Sequence, residues 1–339
     1  MYNLEKIPVT IVTGFLGAGK TTLIRHLLDE NHSRRIAVVI NEFGDVGIDR
    51  TLLDGCGVTA CDNVIELANG CLCCTVADAF LPVMERLVNC TELQPDHIII
   101  ETSGLALPKP LVQAFQWPTI RARVMVDGVV VVVDATAIVD GRFSCSDNAV
   151  QRTVQAATST HNDSPLTETF TGQLSCADMV LLNKVDLVES GGLAEIVQAL
   201  SSHLRAGIRV LPVHYSRVDS TLLLGLATEV GGNVSADECN DHDHDAFESF
   251  ALTLPAISDL DALEMRLLTA VTSHAILRIK GFLDVPGKAM RLVVQGVGTR
   301  IQRYFDRPWQ AVEARHSRLV VIGLKGLDRH GIATTLGAS

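Results

Sequence analysis

The stretch Gly14-Phe15-Leu16-Gly17-Ala18-Gly19-Lys20-Thr21-Thr22 constrains this chain more than any other. Its Gly-x4-Gly-Lys-Thr spacing is that of a phosphate-binding loop. The glycines let backbone N–H groups converge on an anion, and a following helix adds its positive end. The flanks fit: Ile7-Pro8-Val9-Thr10-Ile11-Val12 reads as a strand, and Leu23-Ile24-Arg25-His26-Leu27-Leu28 as a helix. Phosphate contacts are expected from Gly14, Gly17, Ala18, Gly19, Lys20, Thr21 and Thr22. Lys20 would neutralise the β- and γ-phosphates, and the Thr21 hydroxyl would ligate Mg²⁺.

Three later strand ends supply what such a loop needs. Arg35 to Ile40 is an apolar run that opens into Asn41-Glu42-Phe43-Gly44-Asp45-Val46-Gly47-Ile48-Asp49. Glycines and acids at the carboxyl end of a strand suit a metal-facing switch loop, with a solvated acidic turn as the plainer reading. His97-Ile98-Ile99-Ile100-Glu101-Thr102-Ser103-Gly104 ends in an acid and a glycine. Glu101 would hold Mg²⁺ through water, and Gly104 would sense the γ-phosphate. Met179 to Leu182 leads into Asn183-Lys184-Val185-Asp186, the guanine-specificity pattern. The carboxylate of Asp186 accepts from the ring N–H and exocyclic amine of guanine, donors that adenine lacks, while Asn183 and Lys184 hold the loop. The nucleotide expected is therefore GTP. After a last strand, Ile208 to Val213, the residues His214, Tyr215 and Ser216 either touch the base or form a simple loop.

The segment Asn69-Gly70-Cys71-Leu72-Cys73-Cys74-Thr75 places three thiols within four residues. In extended chain Cys-x-Cys sends both sulfurs to one side, and thiolates with a nearby carboxylate make a site for Zn²⁺ or another borderline metal. A redox pair is the rival, since Cys71 and Cys74 have the Cys-x-x-Cys spacing. Cys56 and Cys61 are accessory ligands or plain loop residues; Cys90, Cys145 and Cys176 read as small, partly buried hydrophobes. A net charge of −11 argues against nucleic-acid or anionic-membrane partners. Neither a membrane span nor a secretory leader is evident, which leaves the cytoplasm as the expected location.

The stretch 141–171 is polar and reads as an insertion around one helix. Residues 229–246 break periodicity and contain Asp241-His242-Asp243-His244-Asp245, read as a linker that is either solvated or a weak metal holder. From Phe247 onward, period-two runs near 247–254, 276–281, 291–296 and 318–323 surround one helical pattern after Ser258-Asp259. The expected organisation is a nucleotide-binding domain over 1–228, the linker over 229–246, and a smaller α+β domain over 247–339. His274 and His316 read as satisfied polar groups rather than ligands.

Taken together, Gly-x4-Gly-Lys-Thr, Asn-Glu-Phe-Gly-Asp, Gly-Cys-Leu-Cys-Cys, Glu-Thr-Ser-Gly and Asn-Lys-Val-Asp resemble the P-loop GTPase metallochaperone family, which also holds the urease and hydrogenase accessory GTPases. The runs Glu66 to Asp78, Glu101 to Pro110 and Val126 to Val130, with the Asp/His linker, resemble its CobW branch, that of cobalamin biosynthesis. The resemblance implies an α/β fold, a doubly wound and mainly parallel sheet, followed by the smaller α+β domain. It implies a GTPase that couples GTP to delivery of a metal, Co²⁺ for this branch, to a client such as a cobaltochelatase subunit. By the same carry-over Cys71 and Cys73 ligate the metal, with Glu42 or Cys74 completing the set. A GTP-dependent dimer is compatible with this reading. No Ras-type glutamine is present, so slow turnover is expected, with Lys20, Glu101 and water-positioning Asp45 or Asp49 as catalytic groups. Thiolates prefer Zn²⁺ over Co²⁺, so a Zn²⁺ chaperone of the same fold is the first alternative. A non-catalytic metal buffer or regulator is another, and a small-molecule kinase a weaker third that Asn183 to Asp186 opposes.

Overall fold

A computed structural model describes residues 6–31, 34–40, 64–66, 80–89, 94–141, 165–189, 192–225, 247–310 and 313–338. Seven strands form one sheet: β1 (Ile7–Thr13), β2 (Ile36–Ile40), β3 (Val64–Glu66), β4 (His97–Glu101), β5 (Val124–Asp134), β6 (Met179–Asn183) and β7 (Val210–Pro212). They lie in the order β3-β2-β4-β1-β5-β6-β7, and every pairing is parallel. The Val- and Ile-rich runs are buried along almost their whole length, because helices cover both faces of a parallel sheet.

Those helices are α1 (Lys20–Glu30), α2 (Leu81–Asn89), α3 (Pro108–Ala114), α4 (Pro118–Arg121), α5 (Ala135–Val139), α6 (Pro165–Cys176), α7 (Leu193–Ser201) and α8 (Ser220–Leu224). Leu23, Ile24 and Leu27 of α1 pack with Leu222, Leu223 and Leu224 of α8 on Val12, Val38 and Ile99. On the opposite face Phe80, Met84, Leu111 and Phe115 cover Ile11, Val39, Ile98 and Ile100. Each such side chain, taken fully out of water, contributes about 1.5–3 kcal/mol. Since β1 lies between β4 and β5, the chain reverses its direction of travel across the sheet there. The crevice beyond the carboxyl ends of these strands is where open α/β sheets bind ligands.

A second, antiparallel sheet has the order β11-β10-β9-β12-β8, built from β8 (Phe247–Leu254), β9 (Ile276–Leu283), β10 (Met290–Val297), β11 (Arg300–Pro308) and β12 (Ser317–Leu324). Two helices, α9 (Leu260–Ser273) and α10 (Arg329–Leu336), close one face over a core that includes Leu263, Leu267, Ile279, Leu319 and Ile332. Asp259 caps α9 by accepting from the amides of Asp261 and Ala262, both at 2.9 Å. The other face meets the first sheet, and Leu277, Val297 and Ile322 join its core. Arg300 pairs with Asp178, and Gln302 Nε2 donates to the Val126 carbonyl at 2.6 Å.

The α/β and α+β halves follow the sequence expectation. Three details differ. The strand expected over 208–213 narrows to Val210–Pro212, β5 begins five residues before its valine run, and β11 was not anticipated. The helix of the polar stretch is Pro165–Cys176, and the remainder, 142–164, lies outside the described residues.

Candidate nucleotide site

The loop after β1 is shaped by close approaches that only glycine permits. At Gly14 (φ 132°) a Cβ would sit 2.1 Å from the Val132 carbonyl oxygen of β5. At Gly19 (φ 108°) it would sit 2.5 Å from both Asn183 Nδ2 and Ser216 Oγ. The left-handed backbone and the crowding demand the same residue. Helix α1 then starts at Lys20 with no side chain capping it, so the amides of its first turn suit an anion. Lys20 is buried and its Nζ donates to the Phe15 carbonyl at 3.2 Å, folded over the loop it serves.

The second residue of α1, Thr21, lies at the end of β4, where its Oγ1 donates to Glu101 Oε1 at 2.9 Å. Glu101 is 4% exposed, and its strand is locked to β1 by a 2.8 Å bond from Thr102 Oγ1 to Thr13 Oγ1. A hydroxyl and a carboxylate oxygen beside a phosphate cradle form a hard-oxygen donor set, which fits Mg²⁺. Thr21 and Glu101 are the residues that would hold it; when bound, the ion supplies charge neutralisation at the phosphates. Gly104 follows, and a Cβ on it would lie 2.6 Å from the Leu16 amide nitrogen. This loop is clamped from behind by Gln173 of α6, fully buried, whose Nε2 donates to the carbonyls of Gly104 (3.0 Å) and Ala106 (3.1 Å).

The loop after β6 is tied to the loop after β1 through one side chain. Asn183 Nδ2 donates to the Ala18 carbonyl and to Ser216 Oγ, both at 2.8 Å, while its Oδ1 accepts from the Ser216 amide at 2.8 Å. Ser216 Oγ in turn donates to the Gly19 carbonyl at 3.0 Å. Lys184 takes a left-handed conformation (φ 62°), and its Nζ lies 2.6 Å from Asp134 Oδ2. Burial would raise the Asp134 carboxyl, but hydrogen bonds from Lys184 and Thr136 outweigh it and hold the group below the usual carboxylate range. Asp186 stands in a 3₁₀ turn, Val185–Leu187, with Oδ1 3.6 Å from His214 Nδ1. Tyr215 (φ 52°) and Ser216 (φ 57°) are also left-handed, and consecutive non-glycine residues in that region are costly. Such backbone persists where surrounding bonds over-determine it, as the Asn183 pair does here.

The structure thus gathers Gly14, Gly17, Ala18, Gly19, Lys20, Thr21, Glu101, Gly104 and Asn183 around one crevice, with Lys184 and Asp186 at its far end. Thr22 continues helix α1. Glu42, Asp45, Asp49, Cys56, Cys61, Cys71, Cys73, Cys74 and the 229–246 tract all lie outside the described residues. Among the described residues no group of three or more His, Cys, Asp or Glu side chains forms a metal site. Sequence reading missed Gln173 and Asp134, which act across 69 and 50 positions and carry no local motif. Ser216, left open between base contact and plain loop, is the hydrogen-bond partner of Asn183.

Comparison with known proteins bears on this crevice and on the second sheet. Residues 8–212 match the CobW/HypB/UreG nucleotide-binding domain, and residues 247–339 the cobalamin synthesis protein cobW C-terminal domain. The chain is 46% identical over 347 residues to a protein named zinc chaperone CobW from Sinorhizobium sp., covering 99% of this chain and 98% of that one. It is 47% identical over 349 residues to a protein of the same name from Pseudomonas aeruginosa, covering 99% and 92%. Among solved structures, the Zn(II)-bound YjiA GTPase from E. coli aligns over 98% of both chains at 29% identity, with a TM-score of 0.43.

Proposed function

This chain belongs to the CobW/HypB/UreG family of P-loop GTPases and carries the CobW C-terminal domain, and from that premise we propose that it is a GTP-gated chaperone for Zn²⁺. The observation that carries the gate is the Asn183 bridge. A side chain of the guanine motif holds the phosphate loop by the Ala18 carbonyl, so base and phosphates are read by one connected unit. In this reading the first-turn amides of α1 and Lys20 bind the phosphates, Thr21 and Glu101 hold the Mg²⁺ that accompanies them, and Asp186 selects guanine. Thr22 and Gly104 complete the nucleotide contacts.

The metal is cargo, taken up by Cys71, Cys73 and Cys74 with Glu42. GTP orders the 42–49 loop together with the cysteine segment, and loss of the γ-phosphate loosens both and frees the metal to a client. Turnover is slow because no Ras-type glutamine is present and Glu101 stands where many GTPases have aspartate, with Asp45 or Asp49 placing the water. Zinc takes precedence over cobalt on two grounds. Both full-length relatives are named zinc chaperones, and thiolates hold Zn²⁺ more tightly than Co²⁺ in the usual affinity order.

Delivery of Co²⁺ to a cobaltochelatase is the second reading, favoured by the match of 247–339 to a domain named for cobalamin synthesis. The division into 1–228, 229–246 and 247–339, a cytoplasmic location and a GTP-dependent dimer belong to the same proposal. Among the described residues no helix is long and apolar enough to cross a membrane. Competitive titration of Zn²⁺ against Co²⁺ with Mg²⁺ and a non-hydrolysable GTP analogue bound decides between the cargoes. Cobalt winning at equal free metal supports the second reading; because thiolates favour zinc in any case, the first reading also requires that zinc, not cobalt, is the metal the chain carries when isolated from its own cells.

A further inference from the structure

Arg278 belongs to β9 of the second sheet, yet its guanidinium is buried against the first. One arm pairs with the Asp127 carboxylate. The other, Nη1, donates to the carbonyls of Leu222 at 3.0 Å and Leu223 at 3.3 Å. Both ends of that grip are built for it. Val9 pairs with Val126 and Thr10 with Gly128, so Asp127 is the extra residue of a β-bulge, a device that re-aims a side chain. Leu222 and Leu223 belong to the short helix α8, whose last carbonyls have no partner within the helix. Gly225 ends it at φ 71°, and a Cβ there would lie 2.5 Å from Arg278 Nη2. Thr10 Oγ1 also donates to the Leu223 carbonyl at 2.9 Å, and Arg34 to those of Leu224 (3.1 Å) and Gly225 (2.5 Å).

The two elements that Arg278 holds are those that set the base-recognition loops. α8 is preceded by its cap Asp219 and, three residues earlier, by Ser216, the partner of Asn183. β5 ends in Asp134, the partner of Lys184. We infer that Arg278 is a positioning residue for guanine recognition, so that nucleotide affinity and base selectivity depend on the seating of the second domain. The inference rests on the GTP reading of the site.

The test uses the full-length chain and a fluorescent GDP. Asp127→Leu with Arg278→Met replaces both members of the buried pair by apolar groups, which avoids leaving one charge stranded, but removes the donor to α8. GDP dissociation should quicken about tenfold, and preference for GDP over IDP, which lacks the exocyclic amine, should fall by a similar factor. Arg315→Ala breaks an exposed pair with Asp284 inside the second domain, away from the seam between the sheets, and should leave both values at wild type. If the double variant does not fold, Arg278→Lys keeps a charge beside Asp127 without the planar fork, and the same two readouts should move in the same direction. A folded variant with wild-type dissociation and selectivity overturns the inference, because a purely structural role shifts only the melting temperature. A wild-type chain that binds ADP as well as GDP removes the GTP reading itself, and this inference with it.

Discussion

Asn183 and Ser216, 33 residues apart in sequence, exchange two hydrogen bonds of 2.8 Å and from that pairing reach the Ala18 and Gly19 carbonyls of the phosphate loop. The loop after β6 and the phosphate loop are therefore held by a single buried knot. Disturbing one should disturb the other.

Asn183→Ala leaves the Ser216 amide and the Ala18 carbonyl without their partner. Each buried group so stranded costs about 1–3 kcal/mol. Titration with a fluorescent GDP should show a loss of affinity of at least about tenfold, and urea unfolding a lower midpoint with an unchanged slope. Asn183→Asp turns the donor to Ala18 into a carboxylate oxygen facing that carbonyl in a buried site, so it should lose at least as much as alanine.

Gly104→Ala tests the contact between the β4 loop and the phosphate loop. The added methyl would meet the Leu16 amide nitrogen at 2.6 Å, a backbone atom that cannot swing aside. Overpacking of this kind costs about 1–3 kcal/mol. Because the strain falls on the phosphate loop, nucleotide affinity measured by calorimetry should drop. Gly17→Ala is the useful contrast: its Cβ has nothing within 4 Å, so any loss there comes from φ 74° alone.

A pH effect follows from His97. The Thr10 hydroxyl spends its proton on the Leu223 carbonyl, so His97 Nε2 must be the donor in their 2.8 Å contact. Nδ1 is buried without a partner. Burial is the main cause that pushes this histidine down to about 3, against the attraction of Asp127. Below its ordinary value of 6.5 the unfolded chain binds a proton that the folded chain refuses. Stability should therefore fall as pH drops from 6.5 toward 3, and His97→Gln should flatten that part of the profile. Melting temperatures from pH 7 to 4 check the sign; an unchanged slope in the variant would mean that other groups set it.

Much of this architecture is legible in the residues alone, for identifiable physical reasons. The aliphatic runs of β1, β4 and β6 are short, apolar and closed by turn residues, and the phosphate loop and Asn183 to Asp186 are contiguous. β11 is different. Its side chains are largely polar because they serve distant partners: Arg300 pairs with Asp178, Arg303 with Asp261, and Arg291 of the neighbouring strand with Asp306. The first two of those pairs span 122 and 42 residues, beyond any local window. The same holds for Gln173 behind the Gly104 loop and for Arg278 and Asp127, which meet across 151 residues. Local pattern reveals the strands and motifs, while the bonds that hold them to each other are set by topology.

In the proposed function, nucleotide occupancy of the crevice controls the metal site. The most direct measurement is Zn²⁺ affinity by competition with a chromophoric chelator, in the apo protein, with Mg-GDP, and with Mg²⁺ and a non-hydrolysable GTP analogue. Binding should be tightest with the GTP analogue, by about tenfold or more over GDP, in keeping with ordinary coupling free energies. Cys71→Ser with Cys73→Ser should abolish the difference while nucleotide binding stays intact. Equal Zn²⁺ affinity in all three states would contradict that coupling.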